Sequence, residues 1–235
     1  MKPIQLTGIM IVMTTMALGG LLALERPMLA SSTTEQQPTV VNNQKNTQDL
    51  YQQGLAKTQM GDYQGAIADF NRVIALNPNY IEAYGHRGIA HYSLGNYPEA
   101  MADFNLAIQL APYHADAYNT RGVALAQQGH LKQALADFDQ AVSLNANLVD
   151  GYYNRGKAHT ELGNYQGALA DYNRAIQLDP SLAEAYGNRG FLLAQLGNKQ
   201  EGLKDLQQAA QLFWSAGNLD GYQQTLFYLQ LIQSE

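Results

Sequence analysis

The chain repeats itself every 34 residues. Gly61, Gly95, Gly129, Gly163 and Gly197 keep that step, as do Gly54, Gly88, Gly122, Gly156 and Gly190. Ala66, Ala100, Ala134 and Ala168 follow it with Gly202 in fifth place, and Phe70, Phe104, Phe138, Tyr172 and Leu206 do likewise. Pro78, Pro112 and Pro180 close three of the units. A period of this length admits few architectures. Each unit is one supersecondary element that cannot bury its own apolar face, so neighbouring units must stack. The units run 47–80, 81–114, 115–148, 149–182 and 183–216.

Within a unit the spacing predicts two helices. In the second unit Ala83, Tyr84, Arg87, Gly88, Ala90, His91 and Leu94 share one helical face. Gly95-Asn96 stops that helix, since glycine reaches positive φ without strain. The next helix presents Ala100, Met101, Phe104, Ala107, Ile108 and Leu110, and Pro112 ends the unit. Small residues at Gly88 and Ala100 let the two helices approach closely.

This pattern of an aromatic residue, Leu-Gly, Tyr, Ala, Phe or Tyr, Ala and Pro, matched by "AYGNRG" through "AIQLDP" and its copies, resembles the tetratricopeptide repeat over residues 47–216. The resemblance implies an all-α, right-handed solenoid of five helix-turn-helix units. Two features depart from the family: Tyr84, Tyr118, Tyr152 and Tyr186 stand where Trp is usual, and arginine stands where Leu precedes the glycine. The Asn-Arg-Gly of the first helix resembles repeats abundant in cyanobacteria.

Arg87, Arg121, Arg155 and Arg189 therefore lie on apolar faces, where an unpaired charge is costly. Asp69, Asp103, Asp137, Asp171 and Asp205 form a second ladder, three residues after each small residue of the second helix and on its apolar stripe. Pairing is expected, and two registers are open. Each arginine can meet the aspartate of its own unit or that of the preceding one. The first unit favours the preceding one: it has Gln53 in the arginine position and no earlier unit to supply an aspartate. That register gives Asp69–Arg87, Asp103–Arg121, Asp137–Arg155 and Asp171–Arg189.

The family resemblance implies a partner groove lined by first helices. Here it falls on Tyr51, Leu55, Glu82, Ile89, Tyr92, Asp116, Asn119, Val123, Asp150, Tyr153, Lys157, Glu184, Gly187 and Phe191. Glu82, Asp116, Asp150 and Glu184 repeat at the same 34-residue step, and the helix dipole alone already favours acids at these helix starts. Family members that grip a C-terminal carboxylate use Lys and Asn where this chain has Tyr51, Leu55, Gly85 and Ile89. The expected partner is a protein or peptide, neutral to basic. A formal charge of −6 argues against nucleic acid.

Catalytic constellations are missing. His86 and His91 are five apart and do not share a face as two metal ligands would. His91 and His159 hold equivalent places, filled by Leu125 and Leu193 in other units, which reads as packing. The chain has no cysteine, and its glycines are spaced for helix ends rather than a phosphate cradle. No enzyme, metal or cofactor is expected.

The N-terminus supplies the location. After Lys2 an uncharged run, "PIQLTGIMIVMTTMALGGLLAL", leads to Glu25-Arg26-Pro27 and "MLASS". Residues 1–30 read as a signal peptide or an N-terminal membrane anchor. Either exports the rest of the chain, to a periplasm, a thylakoid lumen or the extracellular side of a membrane, soluble or N-terminally anchored. Residues 31–46, polar and without periodicity, read as a disordered linker. At the other end, residues 217–235 are expected to form a capping helix with Leu219, Tyr222, Leu226 and Leu229 as its inner stripe. Further apolar residues at Phe227, Tyr228, Leu231 and Ile232 open the alternative of a self-associating structural protein, a homodimer through this helix.

Overall fold

The computed structural model describes residues 38–234, with side chains placed from residue 44. The expected signal peptide or anchor lies outside these residues. Eleven helices are described: α1 (Pro38–Gln59), α2 (Tyr63–Leu76), α3 (Ile81–Ser93), α4 (Tyr97–Leu110), α5 (Ala115–Gln127), α6 (Leu131–Leu144), α7 (Val149–Glu161), α8 (Tyr165–Leu178), α9 (Ala183–Gln195), α10 (Lys199–Ser215) and α11 (Leu219–Ser234). None of them is long and apolar enough to cross a membrane. Helix α1 corrects one expectation, because it starts inside the stretch read as linker. Pro38 suits the first helical position, where its fixed φ is helical and its missing N–H costs nothing. No glycine or second proline interrupts the chain from there to the first repeat.

The turn inside each unit is the same small structure. At Gly95 φ is +79°, Gly95 N–H donates to the Tyr92 carbonyl at 2.9 Å, and Asn96 N–H reaches back to the His91 carbonyl at 2.9 Å. This pair of bonds satisfies two carbonyls that the helix end would leave open. Gly61, Gly129, Gly163, Gly197 and Gly217 repeat the positive φ, and the same two bonds recur at each. Gly217 thus ends α10 as the earlier glycines end the first helix of their units.

The chain folds as two compact bodies that divide within α5, between Ala124 and Leu125. In the first body α1 packs on α2, α2 on α3 and α3 on α4. Its core holds Tyr51, Ala66, Phe70, Val73, Ala83 and Ala90, followed by Ile89, Ala100, Phe104 and Ala124. A Cβ on Gly54 would lie 2.6 Å from the Phe70 ring, and one on Gly88 would lie 2.6 Å from Phe104. In these two units the glycine of the first helix is therefore the seat of the aromatic ring facing it. The second body repeats the arrangement with Tyr172 against Gly156.

At its end, α10 and α11 close over Ala183, Leu206, Ala209, Phe213, Tyr228 and Ile232. The inner stripe of α11 differs from the expected one. Thr225, Tyr228 and Ile232 are buried, whereas Leu219 and Leu226 are exposed, and Tyr222 and Leu229 flank the core. Gly221 explains the rotation: a Cβ there would stand 2.7 Å from the Phe213 ring, so the helix rests on that ring through its glycine. Thr225 stays satisfied by donating its hydroxyl to the Gly221 carbonyl at 2.7 Å.

Candidate partner surface and the ladder beneath it

The arginines pair, but in the other register. Arg87 donates through Nε and Nη2 to both oxygens of Asp103, at 2.9 and 2.5 Å. Arg155 holds Asp171 the same way at 2.8 and 2.6 Å, and Arg189 holds Asp205 at 2.6 and 2.7 Å. Each pair joins the two helices of one unit. The preceding-unit register is overturned, and the first unit shows why its argument failed. Asp69 meets Lys57 at 2.5 Å, one turn beyond Gln53, so it has a cation of its own.

The arginines do reach the preceding unit, through the third nitrogen. Nη1 donates to Asn71 from Arg87, to Asn105 from Arg121, to Asp139 from Arg155 and to Asn173 from Arg189, at 2.6 to 2.9 Å. These acceptors follow the aspartate ladder by two residues and keep the 34-residue step, so the sequence carried the signal. Each guanidinium also lies 5.4 to 5.8 Å from the ring of the tyrosine three residues earlier, Tyr84, Tyr118, Tyr152 or Tyr186. Tyrosine in place of the family's tryptophan thus comes together with arginine in place of leucine. Hydrogen bonds to Asp171, with Asp139 adding to them, raise the Arg155 pKa further above its already high value. The planar fork that supplies these bonds is a property of arginine that lysine lacks.

The residues assigned to a partner groove fall into two groups. Tyr51, Ile89, Asn119 and Lys157 are buried and offer little surface. Tyr51 sits among the rings of Phe70, Tyr80 and His86, with centroids 5.0 to 6.0 Å apart. Lys157 lies 5.6 Å from the Tyr153 ring centroid, and burial lowers its pKa. Tyr153 accepts a bond from Asn188 at 3.1 Å, and Phe191 packs on Tyr228 at 4.7 Å. Leu55, Tyr92 and Val123 are half-buried, Tyr92 against Tyr97 at 5.0 Å, while Gly187 is buried. The acidic ladder keeps access to solvent: Glu82, Asp116, Asp150 and Glu184 are all half-buried.

Spacing says of His86 only that it is badly placed to share a metal with His91, and the structure gives it more. Its ring stacks on Phe70 at 6.0 Å and meets Tyr51 edge-on at 5.7 Å. Burial pushes its pKa from the ordinary 6.5 down to about 4. Between those two values the unfolded chain binds the proton and the folded chain does not, so stability falls as pH falls through that window. We expect His86 to cost about 2 kcal/mol of stability between pH 7 and pH 5. Urea unfolding of the wild type and His86→Phe at both pH values checks this. The variant should lack that part of the slope, and equal slopes would show that His86 protonates freely in the fold.

Models of the tetratricopeptide repeat match residues 51–115, 122–163, 156–197 and 183–213. The chain belongs to the tetratricopeptide repeat proteins, and its fold is the all-α solenoid of that family. No curated protein sequence matches it. Among solved structures, a tetratricopeptide repeat protein of Thermus thermophilus, TTC0263, is 22% identical with a TM-score of 0.66, over 78% of this chain and 99% of that one. MamA of Desulfovibrio magneticus RS-1 is 20% identical with a TM-score of 0.61, over 72% and 96%. YrrB, described as having an unusual peptide-binding site, is 22% identical with a TM-score of 0.55, over 74% and 90%. Likeness at this level of identity is likeness of fold.

Proposed function

We propose that the protein is a non-enzymatic adaptor, exported or tethered by its N-terminal segment, that holds a neutral to basic protein or peptide against its first helices. The acidic ladder carries this reading. Glu82, Asp116, Asp150 and Glu184 recur on first helices and remain half-buried rather than enclosed. Charge set into a surface of partial burial is attracted more strongly to an opposite charge than charge in open water. The arginine pairs, which tie the two helices of a unit together, supply pre-organisation, so that little ordering entropy is lost on binding.

The test is retention of a partner from the envelope fraction by the full chain, compared with a variant carrying Glu82→Gln, Asp116→Asn, Asp150→Asn and Glu184→Gln. A protein retained by the wild type, released by moderate salt and lost from the variant is the expected result. Equal retention by both would remove the acidic ladder from the mechanism.

A second reading is self-association, favoured by Trp214, Leu219 and Phe227, which are 61%, 55% and 57% exposed at the α10–α11 end. Light scattering separates the two. The adaptor reading expects the mass of one chain across micromolar concentrations, and a concentration-dependent dimer would favour the alternative.

A further inference from the structure

One first-helix position carries a charge where its equivalents are apolar. Leu55, Ile89, Val123, Lys157 and Phe191 hold the same place in the five units. Lys157 lies on α7, is 4% exposed, and makes no hydrogen bond or ion pair among the described residues. A lysine that only lays its stem along apolar surface keeps its head well hydrated. Here burial is deep enough to lower the pKa of the ammonium. Its neighbours give little in return. The Tyr153 ring centroid is 5.6 Å away, and Glu161, one turn further along α7, attracts the ammonium without pairing with it. Withdrawing an ammonium from water without an acceptor is costly. Its presence where four units hold apolar side chains points to an acceptor that arrives from outside.

Two further open groups adjoin it. Tyr153 stands one turn earlier on the same stripe of α7. Its hydroxyl accepts from the Asn188 side-chain amide at 3.1 Å and gives its own proton to no described residue. Burial above all, then the neighbouring Tyr172 and the Glu184 and Asp150 carboxylates, raise the Tyr153 pKa, so the hydroxyl stays a donor. Asn188, on α9, leaves its carbonyl oxygen without a donor among the described residues. Tyr153 and Asn188 are half-buried, and none of the three polar groups is sealed from the surface. Two open donors and one open acceptor thus meet on first helices of the second body.

An extended residue turns its own N–H and C=O to the same side, one donor beside one acceptor. That is the complement of what Lys157, Tyr153 and Asn188 leave open. A carboxylate fits less well, because Glu161, Glu184 and Asp150 would repel it. We propose that these three side chains form a subsite for the main chain of an extended partner segment. The carbonyl of one partner residue accepts from Lys157 and Tyr153, and the N–H of the same residue donates to Asn188. The inference rests on the adaptor reading for the source of that segment, while the subsite itself can be probed without any partner.

The experiment titrates the isotopically labelled full chain with a basic hexapeptide, acetyl-(Ala-Lys)3 amide, whose charge suits an acidic protein and whose main chain is ordinary. Saturable NMR shifts at the Asn188 side-chain amide and at Lys157 are expected. Lys157→Met keeps the length and the apolar stem and removes the ammonium. It should weaken binding about tenfold, the scale of losing one charge-assisted bond. The sign is decisive. Were the peptide held by charge alone, taking a cation from this surface would tighten its binding. Tyr153→Phe keeps the ring and should weaken binding about threefold, the scale of one neutral bond. The urea midpoint of Lys157→Met should be no lower than that of the wild type, since apolar residues fill the place in the other units. A lower midpoint would show that the ammonium serves the fold, and would overturn the proposal. So would absence of saturable shifts, or equal or tighter binding by Lys157→Met. A wild type that takes the hexapeptide as expected but retains no envelope protein would sink the adaptor reading alone. An envelope protein retained equally by wild type and Lys157→Met would sink the subsite and leave the adaptor.

Discussion

Arg155→Leu is expected to destabilise the protein by about 4 kcal/mol, and Asp171→Leu in the same chain should restore most of that loss. Arg155 gives two bonds to Asp171 and a third to Asp139, and lies 5.5 Å from the Tyr152 ring centroid. Removing it strands a carboxylate that is buried between α7 and α8. The nearest other cation is His159, whose Nε2 stands 3.9 Å from Asp171 and is charged only when protonated. Asp139 suffers much less, because its side chain is 58% exposed and water can replace the guanidinium. The double variant exchanges a half-buried ion pair for an apolar pair of similar bulk, which costs little when the packing closes. Asp137→Leu gives the control, since Asp137 is the partner that the preceding-unit register assigns. Urea unfolding of the four chains decides between the registers. Rescue by Asp137→Leu instead of Asp171→Leu would return the pair to the preceding unit.

That register shows what a perfect period conceals. Arginines and aspartates each repeat at 34, so a partner 16 residues ahead and one 18 residues behind have equal support from spacing alone. Only the ends of the array break the tie, and there Lys57 enters from a position that is His or Leu in the other units. The helix pairs were legible because glycine, alanine and aromatic positions agree with one another, and agreement across residue types is what specifies a fold. The turn chemistry was legible for the same reason: Gly-Asn carries its own physical cause.

The surroundings of the residues assigned to a groove were legible only in part. Spacing places Tyr51, Asn119 and Lys157 on first helices, but does not say that neighbouring side chains enclose them. On α11 the expected stripe of Leu219, Tyr222, Leu226 and Leu229 is a valid helical line, and so is the observed one through Thr225, Tyr228 and Ile232. Hydrophobicity favoured the first. The close approach of Gly221 to Phe213 settled on the second, and a backbone approach leaves no trace in an apolar pattern.

The fifth unit departs from the other four in two places at once, and the departures are coupled. Gly202 stands where the others have alanine, and Leu206 stands where they have Phe or Tyr. In the second unit the Phe104 ring lies against Gly88 and sets the spacing of the two helices. With the smaller Leu206, α9 and α10 approach until backbone meets backbone. A Cβ on Gly202 would lie 2.5 Å from the Gly190 carbonyl oxygen and 2.9 Å from the Ala194 nitrogen. Neither atom can swing aside as a side chain would.

Gly202→Ala is therefore expected to destabilise by about 3 kcal/mol, the upper end of ordinary overpacking. The sign is informative in itself, since alanine in place of a helical glycine ordinarily gains about 0.5–1 kcal/mol. Adding Leu206→Phe should give a double variant that loses less than the sum of the two single losses, because the ring would hold the helices apart as Phe104 does in the second unit. Denaturant unfolding of the four chains measures that coupling. A stabilising Gly202→Ala would mean that α9 and α10 are not in backbone contact, and strictly additive losses would mean that residues 202 and 206 do not set the helix spacing together.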